Sequence, residues 1–185
     1  MILTVNQDCR LRQVLLTVTK NDANQILVFF GTGDEMNLLP SPTNYFWEIW
    51  DDNGTGKLAS AKWPIELVNQ WVLAPIAVFN YVVYFTTWEN TGGGEYCGAG
   101  KGWLYGYTIT KAGAPGGEAG LVTLDAEGNP NAPVARVELG PGIPSAPVVT
   151  NGMIYTSSSV DADSIRGQAI PKVSRTRIRS WREVL

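Results

Sequence analysis

A chain of 185 residues with 44 % apolar side chains is long enough to bury one sizeable core, and that composition excludes a disordered chain. It holds no histidine, which removes the commonest general base and the commonest zinc ligand together, and its formal charge is −3. No apolar run approaches the roughly 20 residues of a membrane-spanning helix, and 20 Gly, 11 Pro, 7 Trp and 7 Tyr direct the reading toward turns and strands.

The opening stretch, MILTVNQDCRLRQ, has neither a basic leader nor a long apolar region, so no secretory signal is read there. The chain is expected either to stay inside the cell or to be a piece of a longer exported one. Period-two apolar patterns bounded by Gly, Pro, Asn and Asp then mark strands. VLLTVT (14–19), a turn KNDANQ and ILVFFGT (26–32) predict a hairpin, NYFWEIW (44–50) a third strand halted by DDNGTG, and KLASAKWPIEL (57–67) a fourth.

The same order returns in WVLAPIAVF (71–79), YVVYFTTW (81–88), a Gly-rich loop, WLYGYTIT (103–110) and LVTLD (121–125). VFFGTGD at 28–34 matches VYFTTWE at 83–89, and APVVTNGMIYTSSS at 146–159 repeats the Ala-Pro start and the Asn of APIAVFNYVVYFTT, with Ile-Tyr-Thr echoing its Val-Tyr-Phe-Thr core. Unbroken apolar runs at Leu27–Phe30 and Val82–Phe85 predict sheets covered on both faces. SRTRIRSWREVL (174–185) reads as a closing strand with Arg175, Arg177, Arg179 and Trp181 on one face.

Four antiparallel strands per unit is the pattern of a propeller blade. The expected fold is therefore all-β, a partial quinoprotein-like propeller filling 1–185, with blade-like units at 14–67, 71–125 and 134–185, the third incomplete. Closed propellers have four to eight blades, so these units are expected to complete a larger sheet assembly and to leave inter-blade faces and edges open.

Few motifs carry chemistry. GTGDE (31–35), TGGGEYCGAGKGW (91–103) and GAPGGEAG (113–120) lack both the P-loop pattern and a GxGxxG opening a helix, and read as hairpin loops. Asp51-Asp52-Asn53-Gly54 and Asp161-Ala162-Asp163 resemble fragments of calcium loops without the full ligand run, so calcium stays open beside simple turn chemistry. Asp34 and Glu35 are adjacent, and on a strand would point to opposite faces. Cys9 and Cys97 have no CxxC spacing, leaving one disulfide or two thiols equally open. Trp47, Trp50, Trp63, Trp71, Trp88, Trp103 and Trp181 are expected mainly to fill the wedges between sheets, with sugar stacking the alternative. From Arg166 onward six basic residues (Arg166, Lys172, Arg175, Arg177, Arg179, Arg182) meet one acid, Glu183, on an otherwise acidic body that is their nearest partner.

ILVFFGTGD, NYFWEIWDDNGTG, APIAVFNYVVYFTTWE, a Cys ahead of GKGWLYGYTITKAG, GPGIPSAPVVTNGMIYTSSS and a terminal RIRSWRE succeed one another in an order that resembles the carboxy-terminal propeller of the PilC/PilY type IV pilus biogenesis proteins. The resemblance implies an exported, cell-surface or pilus-tip protein whose propeller aids pilus assembly and opposes retraction. The family's D-x-D-x-N-x-x-D calcium loop has no counterpart here. The expectation is a non-catalytic module with no catalytic, cofactor or metal residue, acting in pilus assembly or adhesion. Its expected partners are pilins, minor pilins or a longer propeller-containing chain, with no nucleic acid and no membrane span. Two alternatives stand beside it: a fragment of a quinoprotein-type dehydrogenase, whose repeats share the AP..V.NG.IY phrase, and a carbohydrate-binding module using exposed Trp.

Overall fold

In a computed structural model, the described residues are 16–33, 43–50, 57–58, 63–91, 100–111, 116–124, 130–160 and 166–169, and they form strands and turns with no helix among them. The first sheet begins as an antiparallel meander of β1 (Leu16–Lys20), β2 (Ile26–Gly31) and β3 (Asn44–Trp50). Asn21 shapes the β1–β2 turn: its Oδ1 accepts the backbone N–H groups of Ala23 and Gln25, both at 3.0 Å, the local bonding that makes Asn a turn former.

The expected fourth strand, 57–67, is two short pieces along the far edge of β3. β4 (Lys57–Leu58) lies against Ile49 and Trp50, and β5 (Ile65–Leu67) against Asn44 to Phe46. Pro64, just ahead of β5, has no N–H to give the ladder, and β5 begins only after it.

In the second sheet the first position is likewise divided, between β6 (Gln70–Trp71) and β7 (Ala77–Phe79). Both pair with β8 (Val82–Glu89), which runs its full length beside β9 (Lys101–Thr108). The next strand in the chain does not continue this sheet. β10 (Leu121–Leu124) pairs with β11 (Pro130–Val134) as a separate hairpin, and β12 (Arg136–Pro141) takes the free edge of β9. The expected pairing of 121–125 beside 103–110 is thus corrected, and the reason is burial. Leu121 is wholly buried over Gly106 on the face of the second sheet, where β9 offers no side chain, while Val137 and Leu139 of β12 help complete that same apolar layer.

The third sheet is β13 (Val148–Thr150), β14 (Met153–Thr156) and β15 (Arg166–Ala169). The expected closing strand at 174–185 lies outside the described residues, as does Trp181.

Two apolar layers hold the sheets face to face. Leu27, Phe29, Phe46 and Leu67 of the first sheet meet Val83, Phe85 and Tyr105 of the second, with Trp63 filling the seam. The rings of Phe46 and Phe85 stack at 3.7 Å and 9° across that seam. On its other face the second sheet sets Val82, Tyr84 and Leu104 against Leu121 and Ile154. β8 is accordingly buried at seven consecutive positions, as a strand covered on both sides must be. β2 is not: Leu27 and Phe29 are buried, but Val28 and Phe30 are half-buried and Ile26 is exposed, so the expectation of cover on both faces fails there. Trp63, Trp71 and Trp88 lie in the interior, whereas Trp47, Trp50 and Trp103 are half-buried.

The absence of a side chain at Gly106 is structural. A Cβ there would sit 2.8 Å from Leu121 Cγ and 3.1 Å from Tyr84 Cδ1. Replacing it (Gly106→Val) overpacks a buried seam and is expected to cost about 1–3 kcal/mol, a fall in melting temperature of about 3–10 °C. Thermal unfolding followed by circular dichroism checks this, and an unchanged midpoint contradicts the packing described.

Candidate interaction surface

Strand register assigns every side chain of a sheet to one face, because residues directly opposite each other share it. In the first sheet Val28 lies opposite Val18 and Ile49, and Phe30 opposite Leu16 and Trp47. Those residues, with Ile26 and Tyr45, therefore occupy the face turned away from the second sheet. Phe30 and Trp47 stack at 6.2 Å and 11°, and Tyr45 leans on Trp47 at 6.0 Å. Leu16 and Val18 are each 55 % exposed and Ile26 41 %, while the aromatic rings and Ile49 are half-buried. Among the described residues no sheet covers this face, and a contiguous apolar face is a candidate for interaction.

The repeat explains its composition. In the second sheet Val83 lies opposite Val78 and Tyr107, and Phe85 opposite Tyr105. Val18, Val28, Phe30, Trp47 and Ile49 of the first sheet thus occupy the ladder positions of Val78, Val83, Phe85, Tyr105 and Tyr107. The second set is packed against the sheet before it, and the first set faces outward. In the third sheet Val149 lies opposite Ile154, at the positions of Val78 and Val83, and both again pack toward the preceding sheet. The hairpins agree: Asn80-Tyr81 and Asn151-Gly152 both have positive φ at their two central residues, the turn that suits twisted two-residue hairpins.

Polar side chains lock the seam between the first two sheets. Gln70 Oε1 accepts the Thr87 hydroxyl at 2.7 Å and the Tyr105 hydroxyl at 2.9 Å, while its backbone carbonyl accepts Asn44 Nδ2 at 2.8 Å. Outward from these, Arg136 donates to the Tyr105 oxygen at 3.1 Å and lies 4.5 Å over the Trp103 ring, whose Nε1 donates to Glu89 at 2.6 Å. Thr110 is held from both sides of its peptide, its N–H by Glu48 Oε1 at 2.9 Å and its carbonyl by Asn21 Nδ2 at 3.1 Å.

Glu48 is fully buried, and its Oε2 has no hydrogen-bond partner among the described residues. Desolvation drives its carboxyl up to about 7, against a smaller opposing pull from the Thr110 hydrogen bonds. Burial also pushes up the Tyr84 phenol, whose oxygen has no partner among the described residues.

Asp51 to Gly54, Asp161 to Asp163, the pair Asp34 and Glu35, and Cys9 and Cys97 all lie outside the described residues. Among the described residues no cluster of His, Cys, Asp and Glu is arranged to hold a metal ion, and no helix is long and apolar enough to cross a membrane. A depression of about 420 Å³ opens between β12 and β15, lined by Val137, Glu138, Leu139, Gly167 and Gln168. Glu48 and the Gln70 network were missed at the sequence level. The signal for Glu48 was an acid on the buried parity of NYFWEIW; Gln70 carried none.

Because the folded state holds the Glu48 proton more tightly than an ordinary carboxyl of 4.5 does, its contribution to stability is complete below about pH 4.5 and is lost as pH rises through about 7. The whole swing is about 3 kcal/mol. Urea unfolding at pH 5 and pH 8 is expected to show that loss in the native chain and not in Glu48→Gln; parallel losses in both would refute the assignment.

No family model, no curated protein and no solved structure matches this chain.

Proposed function

We propose that the chain is a non-catalytic contact module, part of a propeller whose sheets extend beyond those described, and that it serves at the cell surface in a type IV pilus-associated assembly. The observation that carries the contact reading is the outward apolar face of Leu16, Val18, Ile26, Val28, Phe30, Tyr45, Trp47 and Ile49, which repeats a set that is packed elsewhere in the same molecule. The propeller reading draws support from the sense of the stack. The second and third sheets turn equivalent positions toward the one before them, and β7 touches both β1 and β13, so the first strands line up side by side. A propeller places its innermost strands in the same way, around an axis.

The pilus part rests on the resemblance of the ordered motifs to the PilC/PilY proteins. In that role the loops and the open face make protein contacts, and the expected partners are pilins or minor pilins. The half-exposed aromatic row suits such contacts, because large rings contribute much of the energy of a protein interface with few rotatable bonds to immobilise.

The test is made in the organism that encodes the sequence, by shearing surface filaments from intact cells and identifying peptides by mass spectrometry. Peptides of this chain are expected in the sheared fraction and to be digested when intact cells are treated with protease. Recovery only from the soluble interior would overturn the pilus reading while leaving the contact face to be tested separately.

A further inference from the structure

Among the described residues the stack has two uncovered ends, and their faces are of complementary kinds. The front of the first sheet, with Val18, Val28, Phe30 and Trp47, is the face that in the second sheet rests on a preceding sheet. The rear of the third sheet is the opposite kind. Val148 lies opposite Tyr155, and Thr150 opposite Met153, at the ladder positions that Ala77, Tyr84, Phe79 and Val82 hold in the second sheet. There Val82 and Tyr84 are buried beneath the following sheet, with Ala77 packed alongside. In the third sheet Val148 is 59 % exposed, and Met153 and Tyr155 are half-buried. A front and a rear face meet within the molecule at the first seam, and again, with the β10–β11 hairpin added, at the second.

We propose that two copies of this chain close head to tail, the front of the first sheet of each docking on the rear of the third sheet of the other. Apart from the two-stranded β10–β11 hairpin, three sheets from each copy make a ring of six, inside the range of four to eight in which propellers close. Such an interface is heterologous, and it ends in a closed ring because the second contact is the same as the first. The inference rests on the sheet-stack half of the reading above and is independent of any pilus location.

The area is modest. With strands about 4.8 Å apart and residues about 3.4 Å along them, the smaller rear face, three strands of three or four residues, covers roughly 150–200 Å². Four such faces disappear on closure, about 600–800 Å², the size of a weak, reversible contact. The aromatic pair Phe30 and Trp47, already stacked on each other, stands at the middle of the front face and needs little ordering to bind.

Analytical ultracentrifugation of the full chain between about 1 and 100 μM, a span chosen for a modest interface, is expected to show a species of twice its 20.1 kDa. The double variant Phe30→Glu, Trp47→Glu and the double variant Met153→Glu, Tyr155→Glu are each expected to sediment as monomers, and an equimolar mixture of the two to regain a dimer at the highest concentration, since one front and one rear remain intact. A photoreactive benzoylphenylalanine at position 30 in the otherwise native chain is expected to cross-link the Met153–Thr156 peptide of a second copy, which decides the matter even if a charged variant fails to fold. A native chain that stays monomeric throughout overturns the proposal. So does dimerisation that survives the rear-face variant but not the front-face one, or a cross-link from position 30 to another front face, because both describe a front-to-front pair.

Discussion

The fold turns on one strand that has no solvent side. β8 carries Val83, Phe85 and Thr87 toward one neighbour and Val82, Tyr84, Thr86 and Trp88 toward the other, and all seven are buried. Such a strand cannot use the alternation by which a sheet ordinarily tells inside from outside. It must be sandwiched, and the sandwich requires both neighbouring sheets at once. The Phe46–Phe85 stack on one side and the Leu121–Ile154 layer on the other are the two halves of that requirement. Removing either sheet would return a broad apolar face to water, at roughly 25 cal/mol for each Å².

The polar interior follows from the same constraint. With both faces covered, Thr86 and Thr87 have no water to bond, and each finds a protein partner: Thr86 the carbonyl of Ser145 at 3.0 Å, Thr87 the Gln70 side chain of its own sheet. Buried hydroxyls that are satisfied in this way add direction to a contact that apolar packing alone leaves free to slide. Glu48 is one exception beside the Tyr84 phenol: among the described residues it is satisfied at one oxygen only, and so the seam keeps a proton where an exposed carboxyl would release it.

Much of this was legible from residue order. The hairpin of ILVFFGT, the strand NYFWEIW, the long pair YVVYFTTW and WLYGYTIT, and the Ala-Pro…Asn…Tyr phrase all appear as strands and turns at or near their expected bounds. Two things were not. The strand at 136–141 hides in a Pro- and Gly-rich stretch, and although Val137 and Leu139 alternate with Arg136 and Glu138, the same alternation in LVTLD competes for the same edge. Only the absence of a side chain at Gly106, which lets Leu121 settle on the sheet instead of beside it, separates the two. The open face was half legible. ILVFF announces apolar residues on both sides of β2, but a linear pattern cannot say whether the covering sheet is present, and here the described residues cover one side. Asp51 to Gly54, Asp161 to Asp163 and the two cysteines lie outside the residues that could place them.

The joint around Gln70 has a geometric consequence. In any arc of repeated sheets a small error of tilt at one joint is added to the next, so the two ends of a longer arc miss each other by the sum. Gln70 opens β6 at the start of the second sheet, and it is tied to the first sheet through Asn44 and to its own sheet through Thr87 and Tyr105. Hydrogen bonds of this kind fall off steeply with angle. The joint therefore acts as a jig that holds the first sheet at one pitch, and whatever meets its aromatic face encounters it in a single orientation.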